Sequence, residues 1–243
     1  MSKACRVPAM GVLLIGVLCL SPSVSAQQRS AIIEQLAKAY GLESWDQVEA
    51  IRFTFHAEPP GLARSWVWEP KADRISYNGP DKDGKPVQIT YSRSQLASQS
   101  AFVKEMVDPA FNNDQYALLL PLHFAWDAAV LTVQDAGMSK GHLVKGSTRK
   151  IVVKYPSDAG GYTPGDTWDL FLGKDGRLRE LVLHHADPLK PTLTDATWAD
   201  HKKVGPLVIS LDKRGTADGQ KIHIFFTDVA VKQVGSSSWM DAM

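Results

Sequence analysis

Cysteine is nearly absent from this sequence. The 243 residues include two cysteines, Cys5 and Cys19, and both lie near the N-terminus in a segment that we interpret below as a cleaved leader. A folded chain without thiols has no disulfide framework, no thiolate metal ligand and no cysteine nucleophile. The sequence therefore excludes disulfide-stabilised scaffolds, cysteine zinc sites and cysteine-dependent enzymes.

An excess of charge of either sign is also missing. The 27 Lys and Arg residues are balanced by 26 Asp and Glu residues. Proteins that bind nucleic acids or anionic membrane surfaces usually carry a basic patch or stripe, and this sequence has none. We therefore expect no nucleic-acid partner, and a partner that is not selected by overall charge.

The sequence lacks a long apolar run and the common cofactor motifs. Residues 11–20 are apolar throughout, but ten residues are too few for a helix to span a bilayer. Glycine-rich nucleotide motifs, the H-E-x-x-H zinc motif and the G-x-S-x-G nucleophile motif do not occur. We predict no transmembrane segment in the mature chain, no cofactor and no bound metal.

The N-terminus has the order of a secretory signal peptide. Lys3 and Arg6 precede the apolar run at 11–20, and a small-residue stretch ending at Ala26 follows it. This order predicts removal of residues 1–26 by cleavage after Ala26. We expect a periplasmic or secreted protein, with one domain at 27–235 and a flexible tail at 236–243.

The first part of the mature chain changes from a helical to a strand pattern. Residues 29–40 repeat apolar side chains at helical spacing, and Gly41 follows at the position typical of a helix C-cap. Alternation of apolar and polar residues then predicts half-buried strands at 51–55, 66–68, 75–77 and 87–91. Turns rich in proline, glycine and asparagine separate these strands, which indicates an antiparallel meander.

The middle and C-terminal parts contain more of both patterns. Residues 94–106 have helical spacing that Pro109 should end, and 116–133 predicts a short helix under the sheet, with a buried strand as the alternative. Further strand patterns lie at 150–155, 168–172, 178–185, 192–200, 207–211 and 221–231. The order predicts an α+β fold: a large curved antiparallel sheet, an incomplete barrel of about ten or eleven strands, enclosing two or three helices.

Aromatic and large apolar residues give one candidate binding site. A concave sheet face lined by such side chains can hold a hydrophobic ligand. The alternative is that the same side chains only fill the core, since aromatic rings supply much of the buried area of a domain. The candidate ligand-binding residues are Phe53, Phe55, Trp66, Trp68, Tyr77, Tyr91, Leu118, Leu122 and Trp126.

Histidine and aspartate residues in the C-terminal half give a second, catalytic hypothesis. His184 and His185 are adjacent, so on a strand they point to opposite faces and cannot share one metal. His185 and Asp187 could share a face, and an exported hydrolase could use His184 or His185 with Asp187. A third hypothesis is a non-catalytic interaction module of the cell envelope. The sequence leaves open whether the protein is an enzyme.

Several motifs resemble a family of uncharacterised exported bacterial proteins. They are Ser44-Trp45-Asp46, Trp66-Val67-Trp68, the segment from Asn113 to Pro121 and the turn Gly160-Gly161-Tyr162-Thr163-Pro164-Gly165-Asp166. The order of elements is also similar to the LolA/LolB-like fold of outer-membrane lipoprotein carriers. This resemblance implies an incomplete antiparallel barrel, covered by helices, whose cavity accepts acyl chains.

The residues and the resemblance together favour one function. We predict a periplasmic binding or carrier protein for an apolar or amphipathic ligand, such as a lipid or a lipoprotein acyl chain. We expect it to act as a monomer and without a cofactor.

Overall fold

Thirteen strands of the described residues form one antiparallel sheet. The computed structural model describes residues 30–158, 164–187, 189 and 192–243. The predicted leader, and the Gly160-Gly161-Tyr162-Thr163 part of the glycine turn, lie outside the described residues. The strands are β1 (Val48–Glu58), β2 (Leu62–Glu69), β3 (Arg74–Pro80), β4 (Pro86–Tyr91), β5 (Thr132–Lys140), β6 (Ser147–Lys154), β7 (Thr167–Leu172), β8 (Leu178–His184), β9 (Leu193–Thr197), β10 (Ala199–Val204), β11 (Leu207–Ala217), β12 (Gln220–Gln233) and β13 (Trp239–Asp241).

The sheet joins two meanders through its longest strands. The order is β4-β3-β2-β1-β12-β11-β9-β8-β7-β6-β5, with β10 also paired to β11 and β13 to β12. The edges, β4 and β5, do not pair with each other in this order, so the sheet stays open. The predicted fold class, an α+β fold built on an incomplete antiparallel barrel, is confirmed.

The strand number exceeds the predicted ten or eleven for three physical reasons. Strand β5 is an edge strand with mostly exposed residues, so its sequence lacks the alternation of a half-buried strand. The predicted strand at 192–200 is divided at Trp198 into β9 and β10. The residues after Gly235, predicted as a flexible tail, include the short strand β13, which pairs with β12.

Two α-helices lie in the described residues, α1 (Ala31–Lys38) and α2 (Asp108–Trp126). Helix α1 buries Ile33, Leu36 and Ala37, which recur at helical spacing, and Gly41 follows with a positive φ of 95°. Shorter helical segments are the 3-10 helices Leu42–Gln47, Pro70–Ala72 and Arg93–Ser98, and a π-helical turn at Val103–Val107 that runs directly into α2.

The segment 116–133, for which the sequence left helix and strand open, is helical up to Trp126 as part of α2. This helix begins earlier than predicted, at Asp108. Pro109 lies just after the π-helical turn, in the first turn of α2, where the change of hydrogen-bond pattern accommodates a residue without a backbone N–H, so it does not end the helix. Pro121 lies inside α2 and removes one backbone hydrogen bond. The helix is distorted nearby, at Leu119, whose φ and ψ are −113° and 17°.

The core lies between α2 and the inner face of the sheet. Alternation places Ile51, Phe53 and Phe55 of β1 inside, beside Trp66 of β2. In the C-terminal half, Ile151, Leu170 and Leu181 are neighbours across β6, β7 and β8 and share the same inner face. These residues belong to one continuous hydrophobic cluster that includes most of α2.

Candidate functional site

Helix α2 is attached to the N-terminal strands by a buried ion pair. The carboxylate of Asp114 is fully buried and accepts hydrogen bonds from Arg64 Nε at 2.8 Å and Nη2 at 2.5 Å. It also accepts one from Trp66 Nε1 at 2.9 Å. Burial raises the pKa of Asp114, although these donors oppose the rise. The pair fixes α2 against β2.

Tyrosine hydroxyls form hydrogen bonds with carboxylates at the two ends of α2. Tyr91 donates to Asp108 Oδ1 at 2.9 Å near the start of the helix. Tyr155 donates to Asp127 Oδ2 at 2.8 Å just after its end. Burial raises the pKa of both tyrosines above the ordinary value, so they remain protonated donors. Anchors at the start, middle and end therefore set the height of α2 above the sheet.

The predicted aromatic residues fill the space between α2 and the N-terminal strands. Trp66 lies 4.7 Å from Tyr77 and 5.3 Å from Phe111 of α2, measured between ring centroids. Phe53 and Phe55 both pack edge-on against Phe226 of β12. All these rings are buried. The structure places this part of the predicted site in the core.

The remaining predicted site residues divide between the core and the protein surface. Leu118 and Leu122 of α2 and Tyr91 of β4 are buried in the hydrophobic cluster. Trp68 and Trp126 are partly buried, and both pack on Trp45, at centroid distances of 5.7 and 4.9 Å. Their role in ligand binding stays a prediction.

An apolar cavity of about 240 Å³ lies on the other side of α2, against the C-terminal strands. One wall comes from α2 and the opposite wall from β7, β8, β9, β11 and β12. None of the nine predicted ligand-binding residues is among the described residues that line it. The lining residues are Asn113, Tyr116, Ala117, Leu120, Trp168, Leu181, Leu183, His185, Thr194, Ala196, Trp198, Lys213, Ile222 and Ile224.

Small residues in the sheet create this space. Strand register places Leu181, Ala196, Gly215 and Ile222 side by side on the inner face, one from each of four neighbouring strands. Ala196 lines the cavity and has only a methyl group to fill the volume under α2, and Gly215 beside it has no side chain. A Cβ atom on Gly215 would lie 1.8 Å from the Asp195 carbonyl oxygen, so the strand pairing itself requires glycine there.

The cavity has a buried side and a half-buried side. Leu181, Ala196 and Trp198 are buried, whereas Thr194 and Ile222 are half-buried and mark the side nearest to solvent. This arrangement of a mainly apolar lining with few polar groups is typical of small-molecule sites.

Lys213 is the one lysine or arginine among the described residues that line the cavity. Lys213 is 2% exposed, and its Nζ donates a hydrogen bond to the Ser210 carbonyl oxygen at 2.8 Å. The ammonium lies 4.2 Å from the ring centroid of Trp198 and 4.5 Å from that of Phe226. Burial lowers the pKa of Lys213 to about 7. The cavity therefore contains a positive group that gains or loses its proton near neutral pH.

Sequence reasoning missed Lys213, although a signal for it is present. Leu207, Ile209 and Leu211 are alternate apolar residues of β11, and Lys213 is the next residue in the same alternation. Because we predicted that this strand ends at residue 211, the alternation was not extended to the lysine.

The structure separates the histidines of the hydrolase hypothesis. His185 Nδ1 lies 3.0 Å from Asp166 Oδ2 at the cavity lining, and His184 Nε2 lies 3.2 Å from Asp169 Oδ2 on the outer face. Asp187 accepts the backbone N–H of Leu189. The residues that the structure describes contain no group of three or more His, Cys, Asp or Glu side chains able to hold a metal.

Within the described part of the chain, no helix combines the length and the apolar character needed to cross a membrane.

Comparison with known proteins gives similarity in fold only. No protein-family model matches the sequence, and no curated protein matches it. A DUF1329 family protein from Desulfovibrio piger has a TM-score of 0.44 and 10% identity, covering 85% of this chain and 94% of its own. The Mycobacterium tuberculosis lipoprotein LppX has a TM-score of 0.31 and 8% identity, covering 82% of this chain and 94% of its own.

At this identity the role of no individual residue is transferred to this chain.

Proposed function

We propose that this protein is a non-catalytic carrier that binds an apolar or amphipathic ligand in the cavity between α2 and the C-terminal strands. The observation that carries the proposal is the cavity itself, about 240 Å³ in volume and lined mainly by Leu, Ile, Ala and aromatic side chains. Each methylene group transferred from water into such a lining contributes about 0.8 kcal/mol. A lipid or an acyl chain is the ligand class that this lining fits.

The rigid attachment of α2 supports this proposal. The Arg64–Asp114 pair and the tyrosine hydroxyls hold the helix at a fixed distance from the sheet. The helix therefore does not collapse against the small residues Ala196 and Gly215, and the volume between them stays open. A cavity that is held open in this way needs little reorganisation when a ligand enters, which favours affinity.

A matched pair of substitutions in α2 tests the site. Ala117 lines the cavity, whereas Ala110, two helical turns earlier, packs against the core outside it. Ala117→Phe should weaken binding of the neutral fluorescent probe N-phenyl-1-naphthylamine at least tenfold, because the new ring occupies the cavity. Ala110→Phe should change this affinity less than threefold. Equal effects of the two substitutions would refute the assignment of the cavity as the binding site.

We also propose that the carrier works outside the cytoplasm. The predicted leader at 1–26 supports this proposal, as does the similarity in fold to a lipoprotein. Intact-mass measurement of protein from the periplasm should show a chain that begins at Gln27. The full-length mass in that fraction would contradict the proposal.

One observation favours hydrolysis as a second candidate function. His185 and Asp166 form a hydrogen-bonded pair at the cavity lining, an arrangement that can orient a general base. Among the described residues, however, no serine or threonine hydroxyl is hydrogen-bonded to His185. A screen of esterase substrates with the purified protein, repeated with His185→Ala, tests this alternative. Turnover that disappears in His185→Ala would favour the hydrolase over the carrier.

A further inference from the structure

The cavity lining contains two buried polar donors, Lys213 and Trp198. Lys213 lies inside the apolar lining, and no carboxylate of the described residues forms an ion pair with its ammonium group. Trp198 is also buried in the lining, and its Nε1 has no hydrogen-bond partner among the described residues. The Lys213 ammonium has one protein acceptor, the Ser210 carbonyl oxygen, and can donate two more hydrogen bonds, whereas Trp198 Nε1 has none. Buried donors normally have partners, so these unused donors in one cavity indicate a ligand atom that accepts hydrogen bonds.

The two donors are close to each other. The ammonium of Lys213 lies 4.2 Å from the ring centroid of Trp198. Strand register pairs Lys213 with Ile224, and Ile224 also lines the cavity, so the lysine lies on the inner face. The groups packed around the lysine are the Trp198 and Phe226 rings and the Ser210 carbonyl oxygen.

The ionisable groups nearest to Lys213 do not place a counter-charge beside its ammonium inside the cavity. Asp212 raises the pKa of Lys213, but its carboxylate lies on the outer face, bonded to His223 at 2.8 Å. His201 is affected by the charge of Lys213, and burial lowers the pKa of His201 to about 4, so it is neutral at neutral pH. The other titratable side chains of the lining are Tyr116 and His185, and His185 is paired with Asp166.

We propose that the ligand is an amphipathic monocarboxylate, such as a free fatty acid, bound with its acid group inside the cavity against Lys213 and Trp198. This inference rests on the carrier function proposed above and specifies its ligand class. One ammonium and one indole N–H match the two oxygens of a carboxylate. A phosphate monoester, with up to two negative charges and three acceptor oxygens, would find too few donors here.

The energetics of the site agree with an acidic ligand. Burial makes the charged form of Lys213 costly, and an opposite charge within a few ångströms reverses that cost. A carboxylate would therefore shift the lysine to its ammonium form on binding. A neutral alcohol of equal chain length would gain the apolar contacts without this pairing. Hydrogen bonds to charged groups contribute about 1.5–3 kcal/mol, which is about a tenfold to hundredfold difference in affinity.

The experiment compares decanoate, 1-decanol and decyl phosphate by displacement of N-phenyl-1-naphthylamine at pH 7. The wild-type protein should bind decanoate at least tenfold more tightly than 1-decanol. Lys213→Met should lose at least tenfold in decanoate affinity and keep its affinity for 1-decanol. Trp198→Phe should lose about threefold for decanoate only. Thermal unfolding of each variant checks that it is folded.

Lys150→Met is the matched control. Lys150 also lies near an aromatic ring, that of Phe171 at 5.8 Å, but its side chain is on the outer face and pairs with Asp169. This variant should bind decanoate and 1-decanol as the wild type does. A loss of the acid preference in Lys150→Met comparable to that in Lys213→Met would overturn the assignment to the cavity lysine.

The possible failures of this test are distinguishable. Equal wild-type affinity for decanoate and 1-decanol overturns the inference but leaves the carrier function intact. Tighter binding of decyl phosphate than of decanoate overturns the carboxylate assignment. If neither the probe nor any of the three compounds binds, the carrier function itself fails.

Discussion

The two halves of the sheet make different contacts with helix α2. Strands β1–β4 meet α2 through large rings such as Trp66 and Tyr77, and through the Arg64–Asp114 pair. Strands β7–β12 meet it through the Trp168 ring, which packs edge-on against Phe124, and through Leu181 and small residues, with a cavity between. The comparison shows that aromatic side chains occur on both sides of α2 and do not by themselves mark the filled one. The open side is marked by small residues in register.

The largest expected effect tests the packing of the filled side. Trp66→Ala should lower the free energy of unfolding by about 4 kcal/mol, because a fully buried indole leaves a large void and a lost hydrogen bond to Asp114. Leu183→Ala, on the cavity side, should cost about 2 kcal/mol, since part of its surface already faces empty volume. Urea unfolding followed by circular dichroism measures both. Equal losses would remove the distinction between the two halves.

The next effect concerns the ion pair that holds α2. Asp114→Asn should lower the free energy of unfolding by about 3 kcal/mol, because it leaves the Arg64 guanidinium without its buried counter-charge. Asp135→Asn is the control, since Asp135 pairs with Arg149 at the surface and its loss should cost much less than that of Asp114. Chemical denaturation of the two variants compares them. A loss of similar size in both variants would show that the buried pair does not anchor the helix.

On the cavity side, removal of a charge should stabilise the protein. The pKa of Lys213 is lowered to about 7 in the folded chain, and the ordinary value is 10.5. Below pH 7 the folded protein must keep a buried ammonium, and this cost is relieved as the pH rises from 7 toward 10.5.

Lys213→Met should therefore raise the free energy of unfolding by about 2 kcal/mol at pH 6, and by clearly less at pH 10. Denaturation of the wild type and the variant at the two pH values gives the comparison. A gain that does not depend on pH would show that the lysine is not buried as described.

The effect that is smallest per pH unit is a slope of stability with pH on the filled side. Burial lowers the pKa of His123 to about 3, against an ordinary value of 6.5, so the unfolded chain binds a proton that the folded chain does not. Stability should then fall by about 1.4 kcal/mol for each pH unit between 6.5 and 3 from this residue alone.

His123→Gln should reduce that slope, and the double variant with His201→Gln should reduce it further, because burial also lowers the pKa of His201. Unfolding measured at pH 6, 5 and 4 tests this. A slope that is unchanged in both variants would contradict the burial of these rings.

The architecture could be predicted from the sequence because its signals are local. The alternation in β1 and the helical spacing before Gly41 are each visible within a dozen residues. Strand β5 lacked such a signal, since an edge strand with exposed side chains on both faces reads as a loop.

The cavity could not be predicted, because it depends on contacts between distant residues. Ala196, Gly215 and Ile222 become neighbours only through the pairing of β9, β11 and β12. The aromatic residues of the N-terminal strands were a misleading guide to it, since Phe111 of α2 packs against Trp66 there. Lys213 could have been found by extending the alternation of β11, but its isolation from carboxylates is a property of the folded chain.

The pairing of β1 with β12 constrains how the chain can reach its native state. Val48 is matched to Gln233, so the centre of the sheet joins residues from nearly opposite ends of the sequence. Until β12 is available, β1 presents an eleven-residue unpaired edge, which is a template for aggregation. Completion of the sheet therefore requires that almost the whole chain is present, and conditions that slow the arrival of β12 should favour aggregation over folding.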